Sequence, residues 1–240
     1  MHGIAPNSES RSSAREPMKP RLVALALISV AAAYFTLLRR TILTWGATEH
    51  EVSAVLPGDE LLPAPDGIST RAVDIQAPPA DVWPWLAQMG PAPRGGAYTY
   101  DWIENLLGLN MHSADRVLSE FQNPQVGDTI GFGANTMRFE LIESERVLAL
   151  RSQDGNWVWA FVLEATPDGT RLISRNRFRL PTLLARVGML PMEPGSLVME
   201  RKMLSGIKER AEKLATSSTR SAATRNGHTG SPAGGTAAHR

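Results

Sequence analysis

Side chains able to do chemistry gather between Gly95 and Arg116, where Tyr98, Tyr100, Asp101, His112, Asp115 and Arg116 fall within one short segment. His112 and Asp115 stand at i, i+3, the reach of one helical turn, so the carboxylate could orient the imidazole as a general acid or base near neutral pH. Tyr98 and Tyr100 point the same way if the chain is extended there, which adds two hydroxyls. The same residues also have a structural reading, in which Asp115 caps or pairs with Arg116 and His112 bonds backbone. A second group is apolar. Trp157, Trp159 and Phe161 alternate along one stretch, Phe178 follows in the next, and Met199 and Met203 lie one helical turn apart. With Trp102 these are candidate ligand-lining residues, although methionine fills gaps in a core as readily as it lines a pocket.

Other chemistries find no support. The 240 residues include no cysteine, which excludes disulfides, thiolate nucleophiles and cysteine-ligated metal. The histidines, at 2, 50, 112, 228 and 239, have no metal-ligand spacing. There is no nucleophile elbow, phosphate loop or dinucleotide fingerprint, so neither metal nor other cofactor is expected. A formal charge of +1, with no basic stretch interleaved with aromatics, argues against nucleic acid.

These candidates must be held by recognisable elements. Residues 69–75 alternate like a first or edge strand and stop at Ala77-Pro78-Pro79. A helix should begin near Asp81 as N-cap, or kink at Pro84, which has no N–H to donate. Residues 101–109, apolar at 102, 103, 106 and 107, predict a second short helix that Gly108 ends. Strands are expected over 126–130, 137–143 and 147–152, followed by a hairpin in which 156–165 pairs with 171–180 across Pro167-Asp168-Gly169-Thr170. Alternation gives that hairpin one face with Trp157, Trp159, Phe161 and Leu163, and in the partner strand an opposite face with Arg171, Arg175, Arg177 and Arg179. The arginines suit a solvated convex face, anionic headgroups, or a carboxylate held in a pocket. A last helix from about Pro194 to Ala215 carries Leu197, Met203, Leu204, Ile207, Ala211 and Leu214 near one stripe.

The run from Asp74 to Gly90, in which a short strand ends at Ala77-Pro78-Pro79 and restarts as Ala80-Asp81-Val82-Trp83-Pro84-Trp85-Leu86-Ala87-Gln88-Met89-Gly90, resembles the opening of the START-like superfamily. The branch is the polyketide cyclase/dehydrase-like one, often called SRPBCC. The resemblance covers roughly residues 69–215, and Gly95 to Arg116 looks like the insert of a bacterial, membrane-linked subgroup. It implies an α+β helix-grip fold: a curved antiparallel sheet wrapped on a long C-terminal helix, with two short helices after the first strand. It also implies a ligand-holding cavity between sheet and helix, and names no reaction.

A membrane is implied separately. Residues 22–38 (LVALALISVAAAYFTLL) are uncharged and flanked by Lys19, Arg21, Arg39 and Arg40. At about 1.5 Å per residue the run is at the short end of what spans a hydrocarbon core. A cleaved signal peptide, with small residues at Ala31-Ala32-Ala33, and a buried or surface helix are the alternatives. Arg11, Arg15, Lys19 and Arg21 outnumber the basic residues just after the run, which favours a cytoplasmic amino side and an extracytoplasmic domain. The expected division is a disordered stretch at 1–20, a single-pass transmembrane anchor at 21–40, a connector at 41–67, the ligand-binding domain at 68–216 and a disordered tail at 217–240. The leading expectation is membrane-anchored binding or carriage of a small apolar or amphipathic ligand, lipid-like or polyketide-like. A cofactor-free cyclase or dehydratase using His112, Asp115 and tyrosine hydroxyls is one alternative, and a protein-interaction module is another.

Overall fold

The computed structural model describes residues 22, 25, 29, 30, 32–132 and 135–228, and side chains as far as 220. The chain divides into two units, Met1–Arg40 and Thr41–Arg240. In the first, Tyr34–Leu38 forms a π-helical turn and the Arg39 guanidinium lies over the Phe35 ring. The stretch 1–20, much of the apolar run 22–38 and the tail after His228 lie outside the described residues. Among the described residues no helix is long and apolar enough to cross a membrane.

Helix α1 (Arg39–Leu43) leads into the second unit, which continues with α2 (Glu49–Ser53), β1 (Gly67–Ile75), α3 (Pro79–Ala87), α4 (Asp101–Leu106), β2 (Thr129–Phe132), β3 (Asn135–Glu143), β4 (Val147–Ser152), β5 (Trp157–Thr166), β6 (Gly169–Phe178) and α5 (Leu183–His228). The strands form one antiparallel sheet in the order β1-β6-β5-β4-β3-β2. Two short helices after β1 and a long helix at the C-terminus complete the helix-grip arrangement. Local chemistry sets the boundaries. Pro78 is extended, so Pro79 occupies the first helical position, where a missing N–H is no loss; α3 therefore starts ahead of the expected Asp81 and keeps Pro84 inside. Helix α4 stops at Leu106, and Gly108 then takes a left-handed φ of +77°.

Helix α5 departs further from expectation. It begins at Leu183 rather than Pro194, because the Thr182 hydroxyl caps it by accepting a hydrogen bond from the Ala185 N–H at 3.1 Å. Pro191 and Pro194 sit inside, on a stretch little covered by the rest of the protein, and the helix runs past Ala215 to His228. Its middle does the packing. Met203, Leu204, Ile207 and Ala211 are buried with Val82, Leu86, Phe139 and Phe161 in the main core.

The hairpin register pairs Trp157 with Phe178, Trp159 with Asn176 and Phe161 with Ser174, placing all of them on the face that α5 crosses. The opposite face carries the arginines, and it is not solvated. The connector of residues 41–65 folds over it as a strap. Arg175 donates from Nη1 to Asp59 Oδ2 and to the Ala54 carbonyl, both at 2.8 Å, and from Nη2 to the Glu51 carbonyl. Arg177 donates to the Leu62 carbonyl and pairs with Asp59, while Arg171 grips both Glu51 carboxylate oxygens at 2.7 and 2.9 Å. Burial alone would raise the Glu51 carboxyl, but the Arg171 guanidinium and the Thr48 N–H outweigh it and hold it below its ordinary value. Neither headgroups nor a pocket carboxylate engage Arg171, Arg175 and Arg177, because the strap has neutralised them. A side chain at Gly46 would collide with the Ala72 carbonyl, 2.2 Å from its Cβ, so only glycine lets the strap cross β1 this closely.

Candidate ligand cleft

The segment after α3 is pinned on three sides. Gln88 accepts from the Leu118 N–H at 2.8 Å and donates to the Arg116 carbonyl at 3.2 Å. Asp101 accepts from the Ser113 N–H and hydroxyl at 2.7 and 2.6 Å. Arg210 of α5 donates to the Ala114 carbonyl and to Asp115 Oδ1, both at 2.8 Å. Tyr98 is the pivot. It holds a left-handed φ of 58°, donates its hydroxyl to the Trp85 carbonyl at 2.9 Å, and lies under the Arg210 guanidinium. Burial pushes its phenol well above the ordinary range. Gly206 of α5 makes room for it, since a Cβ there would sit 2.6 Å from the Tyr98 carbonyl.

Between this segment and α5 opens a cleft of about 840 Å³. Trp85, Tyr98, Val117 and Leu214 supply its apolar lining. Four cations, Arg116, Lys202, Arg210 and Lys213, border it against two carboxylates, Asp115 and Glu209. Trp85 is 3% exposed, and its indole N–H has no hydrogen-bond partner among the described residues. An orphaned buried donor costs about 1–3 kcal/mol.

The candidate residues separate into distinct places. Tyr98 and Asp115 line the cleft. Tyr100, Trp102 and His112 are exposed, Trp102 by 70%. His112 and Asp115 form no dyad; Asp115 pairs with Arg210, whose long side chain reaches it from the helix that crosses this segment. Phe161 and Met203 are fully buried core residues. Trp157 stacks on Trp159 and on Phe178, with centroids 5.7 and 6.0 Å apart, and Met199 is half-buried on α5.

That aromatic wall stands beside charges rather than an apolar hollow. Arg71, fully buried on β1, pairs with Glu200 of α5 and donates to Ser196 Oγ at 3.0 Å. Glu200 accepts from the Ser174 hydroxyl at 2.6 Å, and the two indoles donate to Asn176 Oδ1 and Ser174 Oγ, each at 2.9 Å. Burial pushes the Glu200 carboxyl up, more than Arg71 and Ser174 hold it down. The sequence carries a sign of this pair, a carboxylate at position 200 on the apolar stripe between Leu197 and Leu204. Nothing in it marks Trp85, Gln88 or Lys213 as neighbours, because their meeting depends on how the 88–118 segment folds back.

The sheet order, the two short helices after β1 and the long C-terminal helix make the helix-grip arrangement that the resemblance of Asp74 to Gly90 implied. Among solved structures the chain is similar to a protein of Mesorhizobium loti (18% identity, 62% of this chain and 96% of the other, TM-score 0.37). It is also similar to a polyketide-cyclase-like protein of Corynebacterium glutamicum (16%, 67% and 94%, TM-score 0.32) and to a protein of Nitrosomonas europaea (14%, 66% and 99%, TM-score 0.41). No protein-family model and no curated protein sequence matches the chain.

Proposed function

We propose that the domain binds, and at a membrane carries, a small amphipathic molecule whose anionic or polar head lies in the cleft beside Trp85. The observation that supports this reading is a cleft large enough for a small ligand, lined by Trp85, Tyr98, Val117 and Leu214 and bordered by Arg116, Lys202 and Lys213. Because Arg210 and Asp115 neutralise each other, Arg116, Lys202 and Lys213 remain against Glu209 alone, and the residual field is positive. Tyr98, Val117 and Leu214 offer the apolar remainder of the ligand a surface. The uncharged run 22–38 supports a membrane location, with the amino side cytoplasmic. Acid–base catalysis by His112 and Asp115 lacks the pairing it would need.

The test uses the full chain purified from membranes that resist alkaline washing. Native mass spectrometry should find a co-purifying small molecule, and titration with a dodecyl phosphate probe should shift tryptophan emission. Lys213→Gln and Arg116→Gln, each removing one charge near the surface, should weaken that titration several-fold each. Unchanged affinity in both variants, or a well-folded chain that neither carries a ligand nor takes up the probe, sinks the reading.

A further inference from the structure

The two halves of α5 are covered unequally. From Met203 onward its apolar side chains enter the core, whereas Leu183, Leu184, Val187, Met192 and Val198 are between 53 and 83% exposed. Five large apolar side chains on one short stretch exceed what a solvated helix scatters over its surface. The charges of the stretch are sorted as well. Its two carboxylates, Glu193 and Glu200, are buried, while Arg179, Arg186 and Arg201 are exposed. Arg186 pairs with Asp66, which leaves Arg179 and Arg201 as the exposed cations of this surface. The outer surface is therefore apolar and cationic.

Where the chain enters this unit also bears on the question. Arg71 donates from Nε and Nη2 to the Ile42 carbonyl while Nη2 reaches Ser196 of α5, and Arg201 lies 5.2 Å above the Trp45 ring. Residues 42–45 are thus fixed beside the exposed half of α5. In sequence they directly follow the uncharged run 22–38 and Arg39-Arg40.

We propose that the amino-terminal half of α5 lies on an anionic lipid bilayer. Leu183, Leu184 and Val187 enter the headgroup–acyl boundary, and Arg179 and Arg201 meet lipid phosphates. A helix binds such an interface through just this combination, and each basic residue near it strengthens binding about fivefold. A second copy of the chain is a poorer occupant, because it would set one cationic face against another.

Since the chain has no cysteine, Val187→Cys carries a single polarity-sensitive label, and Glu164→Cys, on an exposed strand end, is the control. The full chain is combined with vesicles whose phosphatidylcholine bears brominated acyl chains, with and without phosphatidylglycerol. The label at 187 should shift to the blue and be quenched when phosphatidylglycerol is present, and the label at 164 should not. Adding Leu183→Glu and Leu184→Glu should abolish quenching at 187 without moving the melting temperature. Labels equally bright at both positions overturn the proposal. Equal quenching without phosphatidylglycerol overturns the anionic preference, and shielding of 187 that follows protein concentration and ignores lipid assigns the face to a second copy.

Discussion

Arg71 and Glu200 bury opposite charges where α5 meets the sheet, and among the described residues each has only the other as an ionic counterpart. Removing one partner should therefore cost far more than removing both. Arg71→Met should destabilise by about 3–5 kcal/mol because it strands a buried carboxylate, and adding Glu200→Leu should recover most of that loss. Chemical denaturation of both singles and the double decides; a double variant as unstable as Arg71→Met alone would show that the pair acts through packing. Glu104 of α4 poses the opposite problem. Burial raises its carboxyl, a nearby Thr99 hydroxyl offsets this only in part, Asp101 adds to it, and Oε2 has no hydrogen bond among the described residues. A carboxyl raised in the folded state contributes stability that is present below its unfolded value of about 4.3 and is lost as pH rises through the folded value. Glu104→Gln should thus melt higher than wild type at neutral pH, with the difference shrinking towards about pH 4. A difference independent of pH would remove ionisation as the cause.

The strap is the element that alters the reading of the whole sheet. Its α2 opens with a capping box, in which Thr48 Oγ1 accepts from the Glu51 N–H at 3.2 Å while Glu51 accepts from the Thr48 N–H at 2.6 Å. Glu51 then serves Arg171 as well. A chain starting at Thr41 should melt cooperatively, whereas one starting at Gly67 should lose its cooperative transition, since Arg175 and Arg177 would be left without Asp59 on a face built for cover. Circular dichroism melts of the two truncations check this, and equal stability would reduce the strap to ornament. The prolines between Trp45 and Gly67 suit an extended, partly docked connector, but nothing local says which face of the sheet it covers. Alternation located the arginines on one face of β6, yet a strand's period says only which residues share a face, and never what lies against it. The hairpin was legible for the reverse reason, since Pro167-Asp168-Gly169 and the flanking alternation are local signals. The start of α5 was misjudged because proline ordinarily opens a helix, and here a threonine cap upstream took precedence.

At the scale of the molecule, the contacts that close the fold join its early and late parts. Asp59 meets Arg175 across 116 residues, Glu51 meets Arg171 across 120, and Arg71 meets Glu200 across 129. Their partners in the sheet, β1 and β6, are likewise the first and last strands and lie side by side. Loop-closure entropy for such pairings must be met before any of them returns stability, and chains of this kind fold slowly. The strap is made first by a ribosome and seated last. Until β6 emerges, the acidic strap and its carbonyls have no guanidinium to receive, so the amino-terminal segment waits in an open state while the five strands before β6 are made. An amino terminus tethered at a membrane would shorten that search, because it holds the strap near the place where the hairpin finally appears.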